Sequence, residues 1–194
     1  MSRHAVRIAA AVAGLALAAT AASATSATAA PAAGSVVIHE SNSFFQQAAR
    51  AGIVAVPLPT ATAGYDAASG LSASFPVTDG SGTLNNFFGG VSLGGGLLFV
   101  DARTGSAVSF HQLAFAFDTW AVTAVPDGST TPVALFDPAG NNSITSSGGT
   151  QSLTADALVL DAEGARYLDS ELHTTFFTAG QDVGSFALSY TPAS

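Results

Sequence analysis

The chain has 194 residues, with five arginines, no lysine, thirteen acidic side chains, no cysteine and a formal net charge of −8. That balance excludes binding to nucleic acid or to an anionic membrane surface, because both need clustered Lys or Arg to displace counterions. The lack of cysteine excludes disulfide staples, thiolate metal sites and thiol nucleophiles.

The N-terminus reads as an export signal. Arg3 and Arg7 give a positive start, Ile8 to Ala22 form an uncharged Ala/Leu/Val-rich core, and Ala27-Thr28-Ala29 fits a small-residue cleavage site. The core is short of the ~20 strongly apolar residues that span a bilayer, so no membrane span is expected in the mature chain. Residues 1–29 are therefore assigned to a cleaved secretory signal. Two arginines leave with it, so three positive side chains face thirteen negative ones, a formal −10. Export places the protein outside the cell or at its envelope, where acidity favours solubility. There is no lipid-attachment cysteine and no sorting motif. About 160 residues remain, enough for one unstapled core.

Residues 30–42 read as a flexible N-terminal segment and 43–194 as a single domain. A helix opens it, with Ser43 and Gln46 in a capping-box pattern, an apolar face of Phe44, Phe45, Ala48 and Ala49, and Gly52 placed to end it. Ile53 to Pro59 is an extended segment whose prolines forbid a central strand. From Leu71 the apolar period becomes two: Leu71, Ala73 and Phe75 alternate, and Asp79 to Gly82 reads as a turn. Strands are expected at 87–93 and 97–101, around Gly94-Gly95-Gly96. Val108 and Phe110 share one parity and Leu113, Phe115 and Phe117 the other, so a bulge is expected at His111-Gln112. Further strands follow at 120–125, 133–136 and 153–160, with loops at 137–142 and 146–151. A second helix is predicted from Asp161, its cap, to Leu172, and Phe186, Leu188 and Tyr190 alternate in a terminal strand. The fold class is mainly β: an antiparallel β-sandwich with two short helices.

The order of these segments resembles secreted actinobacterial β-proteins of the HtaA-type haem-transport domain family. The lead-in FQQAARAGIVAVPLP (Phe45 to Pro59), the strand SFPVTDG (Ser74 to Gly80) and the glycine-rich GGVSLGGGLLF (Gly89 to Phe99) match family elements in order. The paired strands from Ala107 to Val125 and the stretch from Asp161 to Phe186 follow. The resemblance implies a β-sandwich at the cell surface, and a haem iron held by a tyrosine with a supporting histidine. Here Leu93 fills the histidine slot, and about Gln47 stands where the tyrosine is expected. Leucine cannot coordinate iron, and a glutamine is a poor substitute for a phenolate.

His111, at the expected bulge, and Tyr65, from a loop, are the speculative haem ligands that remain; the alternative for His111 is a histidine simply hydrogen-bonded there. His39 and His173 have no ligand spacing, and no zinc motif occurs, so no metal site is assigned. Asp101 and Asp118 each end a strand run and read as turn residues rather than an acid–base pair. Asp156, Asp161 and Glu163 suggest calcium less than helix capping. No G-x-S-x-G elbow is present, and the triple glycine lacks the lysine of a phosphate loop. Of the adjacent phenylalanine pairs 44–45, 87–88 and 176–177, one member each is expected to be exposed or covered by a helix.

Two functional readings lead, with a hydrolase using acidic residues the least favoured third. The first is a secreted or envelope non-enzymatic module that binds an unknown extracellular or cell-surface partner, with no cofactor. The second is a haem- or hydrophobe-binding protein on an HtaA-like scaffold.

Overall fold

The computed structural model describes residues 30–66 and 70–193; the expected signal segment lies outside the described residues. The chain begins with β1 (Ala33–Glu40), α1 (Asn42–Ala51), β2 (Ile53–Leu58), β3 (Thr62–Asp66) and β4 (Gly70–Thr83). A 3-10 turn at Leu84–Asn86 leads to β5 (Phe88–Leu93), β6 (Gly96–Asp101), β7 (Ser106–Ala116) and β8 (Ala121–Pro126). The chain finishes with β9 (Val133–Ser147), β10 (Thr150–Leu160), α2 (Ala162–Leu172) and β11 (Asp182–Thr191).

The protein is mainly β with two helices, but the sheet is not split into the two layers of a sandwich. The pairings run β7-β5-β4-β1-β11-β10-β9-β8, and β8 pairs back onto β7, so these strands close into an antiparallel barrel. Closure removes free edges from those strands, which two stacked sheets would have kept. Three strands lie outside the ring. β6 pairs with the first half of β7 and carries β2 on its far edge, while β3 pairs with the first half of β4.

Several predicted elements change length once the pairings are known. Residues 33–40, expected to be flexible, form β1, which lies between β4 and β11. Its backbone groups are satisfied on both sides, and Val36 is fully buried. Asp79 to Gly82 is no turn: β4 continues through it, paired with β5, past a register shift after Val77. Residues 137–142 likewise belong to β9, with a shift against β10 near Ala155. In α1 the cap is Ser41, not Ser43, its hydroxyl accepting from the Phe44 N–H at 3.2 Å. In α2 the Asp161 carboxylate caps as expected, accepting from the Glu163 N–H at 2.6 Å. The bulge at His111-Gln112 is present, with Gln112 at φ +50° and the β7–β8 register shifting between His111 and Ala114.

Aromatic rings fill the bore. β7 and β11 stand four strands apart in either direction round the ring, yet Phe115 and Phe186 have ring centroids 5.1 Å apart. Phe117 meets Tyr190 at 5.6 Å, and Trp120 joins Phe115 at 5.5 Å. An eight-stranded barrel is just wide enough for side chains to fill. One end is closed by a polar plug. The Tyr190 hydroxyl donates to the Gly82 carbonyl at 2.7 Å; the Gln151 amide donates to that carbonyl and to the Tyr190 oxygen, and accepts from the Leu84 N–H at 2.8 Å. Every polar atom of the buried Gln151 amide is thereby paired.

Phe115→Ala is expected to cost ~3–5 kcal/mol, since the cavity it leaves lies between opposite walls that cannot collapse onto it. Phe88→Ala, at a side chain 71% exposed, is expected to change stability by about 0.5 kcal/mol or less. Urea denaturation of the two variants beside the wild type measures both.

Candidate functional site

The barrel is plugged at one end and open at the other. The opening comes from a glycine corner between β5 and β6. β5 bridges β4 and β7; after the two residues Gly94 and Gly95, β6 takes the same edge of β7 but pairs with β2 instead. Gly95 has φ +94°, and a Cβ there would lie 2.7 Å from the Ala61 backbone nitrogen. A Cβ on Gly96 would come within 2.3 Å of the Phe110 carbonyl oxygen. Only glycine lets the chain turn this tightly between neighbouring strands. Beyond the corner β4 is paired with β3, and β6 with β2, so the sheet divides.

A cleft of about 270 Å³ lies in this division. Ala55, Val56 and Pro57 of β2 form one wall, with Leu97 and Phe99 of β6. Ala63 of β3 and Leu71, Ser72, Ala73 and Phe75 of β4 form the other. Phe136, Leu160 and Val183 form its inner end, while Phe44 of α1 and Phe177 from the segment after α2 also line it. Phe177 is pinned: its N–H donates to the Asp169 carboxylate at 3.0 Å, and its ring meets Phe176 and Phe99 at 4.9 and 6.1 Å. Val54, Val56 and Leu71 are more than a third exposed, which extends apolar surface out of the cleft.

One carboxyl group interrupts this lining. Glu40, the last residue of β1, faces the cleft beside Ile38, and its carboxyl has no hydrogen-bond or ion-pair partner among the described residues. Burial pushes its carboxyl above the usual carboxylate range. Sequence reasoning passed over Glu40 because a glutamate ending a strand before a helix reads as a solvated boundary residue. The clustering of apolar side chains around it depends on strands far apart in the chain.

The two sequence-derived candidates sit elsewhere, and neither lines the cleft. His111 projects from the β7 bulge, its Nδ1 2.9 Å from an Asp127 carboxylate oxygen. Asp127 also accepts from the Ser109 hydroxyl, and that hydrogen bond, with a smaller contribution from His111, holds its carboxyl below the usual range. Tyr65 is on β3, 75% exposed, opposite Leu71. The structure does not bring the two together: β3 attaches to β4, and His111 belongs to the β7–β8 pair. Leu93 is buried against Val77 in the β4–β5 pair.

The remaining candidates have local roles. Asp101 accepts from the Arg103 and Thr104 N–H groups, Asp118 accepts from Thr119, and the two stand at opposite ends of β7. Among the described residues no group of three or more His, Asp or Glu is placed to hold a metal ion. No described helix is long and apolar enough to cross a membrane. Of the phenylalanine pairs, Phe44 and Phe177 are buried, Phe45 is exposed and Phe176 partly buried, but Phe87 and Phe88 are both exposed.

No protein-family model matches the chain, and no curated protein sequence matches it. Among solved structures, the C-terminal domain of HtaA from Corynebacterium glutamicum aligns with a TM-score of 0.57 at 16% identity, covering 84% of this chain and 99% of that domain. The heme-binding protein HtaB of the same organism aligns with a TM-score of 0.44 at 16% identity, covering 83% of this chain and 93% of that one. The first likeness is one of fold and bears out the resemblance to HtaA-type domains read from the segment order.

Glu40→Gln is expected to raise stability at neutral pH. Because the folded carboxyl titrates above its unfolded value, the folded state binds the proton more tightly, and the wild type loses stability as pH rises through the carboxylate range. Glutamine removes that loss, so its advantage should shrink to nothing once acid protonates Glu40. Thermal melts of both proteins from pH 4 to 8 check the sign.

Proposed function

We propose that this protein is a secreted or envelope-associated binding module, without enzymatic chemistry, that holds an apolar small molecule in the cleft between β2 and β3. The observation that carries the proposal is the contrast within one domain. The barrel bore is packed with rings, whereas the divided end keeps an open apolar cleft of about 270 Å³. That volume is near the lower limit for small-molecule sites, which are commonly ~300–1,000 Å³ and mostly apolar with few polar groups. Nothing in the cleft resembles a nucleophile–base pair, and its one titratable group stands alone, as suits holding a ligand rather than transforming it.

The neutral fluorophore N-phenyl-1-naphthylamine tests this. Its emission should rise saturably with the wild-type protein, as it does in an apolar site. Ala55→Trp and Ala63→Trp place a large ring on opposite walls at exposed positions, where folding has little to lose. Each should weaken binding by about tenfold or more with an unchanged melting temperature. Equal binding by all three proteins would remove the cleft from the account.

Haem is the second reading, favoured by the fold shared with the HtaA domain. The residues of the cleft do not suit it. The lining has no imidazole, phenolate or thioether to take an axial position, so iron would have to be held outside, at His111 or Tyr65. In a haemin titration the expected result is no saturable Soret shift that depends on either residue. A one-to-one shift abolished by His111→Ala or Tyr65→Phe would replace the cleft reading with the haem reading.

A further inference from the structure

We infer that the cleft selects an apolar ligand ending in a cationic nitrogen, such as a substituted ammonium, and discriminates against carboxylates. The inference rests on the binding role proposed for this cleft and specifies its chemistry. Two features of the lining carry it. The first is the lone Glu40 carboxyl, which has no partner among the described residues. No arginine or histidine lines the cleft to neutralise it. Arg103 instead donates to the Arg50 carbonyl, and Arg166 to the Ala162 carbonyl. A carboxylate left half-buried without a counterion gains most from a ligand that supplies the positive charge.

The second feature is the aromatic share of the wall. Phe44, Phe99, Phe136 and Phe177 line the cleft, with Phe75 fully buried behind them. Aromatic rings attract a weakly hydrated cation through their quadrupoles, and quaternary ammonium groups are commonly held by several rings together. Phenylalanine offers no hydrogen bond, so a lining of this type suits an alkylated nitrogen better than a strongly hydrated primary ammonium or a metal ion. An anionic end group would meet Glu40 with like charge, inside a chain whose overall charge is already −8. The remaining apolar wall, from Leu71 and Val56 inward, suits the hydrocarbon part.

The test is isothermal titration of the purified protein with decyltrimethylammonium, decanol and decanoate, each below its aggregation concentration. The ammonium should bind about tenfold more tightly than decanol, and decanoate more weakly than both. Glu40→Gln should cut ammonium affinity by about tenfold, leave decanol unchanged or slightly tighter, and raise decanoate. Thermal melts verify that the variant is folded. If decanol binds as tightly as the ammonium, or decanoate binds best, the cationic assignment is overturned while the cleft remains a binding site. If none of the three binds, the binding role falls and takes this inference with it.

Discussion

The contact between Phe115 and Phe186 across the bore governs where this protein can act. Rings from opposite walls meet at 5.1 Å, so no space for a ligand is left along that part of the barrel axis. The polar plug of Gln151, Tyr190, Gly82 and Leu84 then fixes one end, with hydrogen bonds that hold segments far apart in sequence. With the barrel filled in the middle and plugged at one end, the large apolar cleft among the described residues lies at its other end. There the divided sheet, rather than a hollow interior, makes the cleft.

The division has its own physical cause. A closed ring would be simpler if β5 stayed paired with both neighbours along its whole length. Instead the glycine corner lets the chain leave β4 and continue along β7 as β6, with β2 at its edge. The freed half of β4 takes β3 as its partner. Pro57 on β2 and Pro59 just beyond it lack donors, which blunts the strand against pairing with other chains. The outer strands of the cleft, β2 and β3, are thus held by one neighbour each, whereas the ring strands are held by at least two. Low local stability of this kind is usual for elements that admit ligands.

How much of this was legible in the sequence depends on whether a signal was local. The Gly52 end of α1, the Asp161 cap of α2, the period-two runs and the parity break at His111-Gln112 are readable, because caps, turns and side-chain alternation act over a few residues, although the α1 cap falls on Ser41 rather than Ser43. Asp79 to Gly82 and residues 137–142 carry every mark of turns, yet long-range pairing with β5 and β10 keeps them extended. The β1 strand was missed because Ala33-Gly34-Ser35 is weakly apolar; both its neighbours come from much later in the chain. Closure into a barrel was not readable at all. A sandwich and a barrel share the same alternation, and the β7–β8 pairing that distinguishes them leaves no mark in spacing.

The fate of the histidine slot connects the fold to the chemistry. The resemblance to HtaA-type domains places a histidine where this chain has Leu93, and Leu93 is buried in the core beside Val77. Leucine there contributes burial, worth about 1.5–3 kcal/mol for a fully buried side chain, where a histidine would need a partner for each ring nitrogen. At Leu93 the position serves packing. The polar group left facing an apolar cleft is then Glu40, a hard anionic oxygen donor carried by β1 between two ring strands. Leu93 and Glu40 lie in different parts of the scaffold, one packed in the β4–β5 pair and the other facing the cleft, so the packing of the first leaves the chemistry of the second to the strands that bound the cleft.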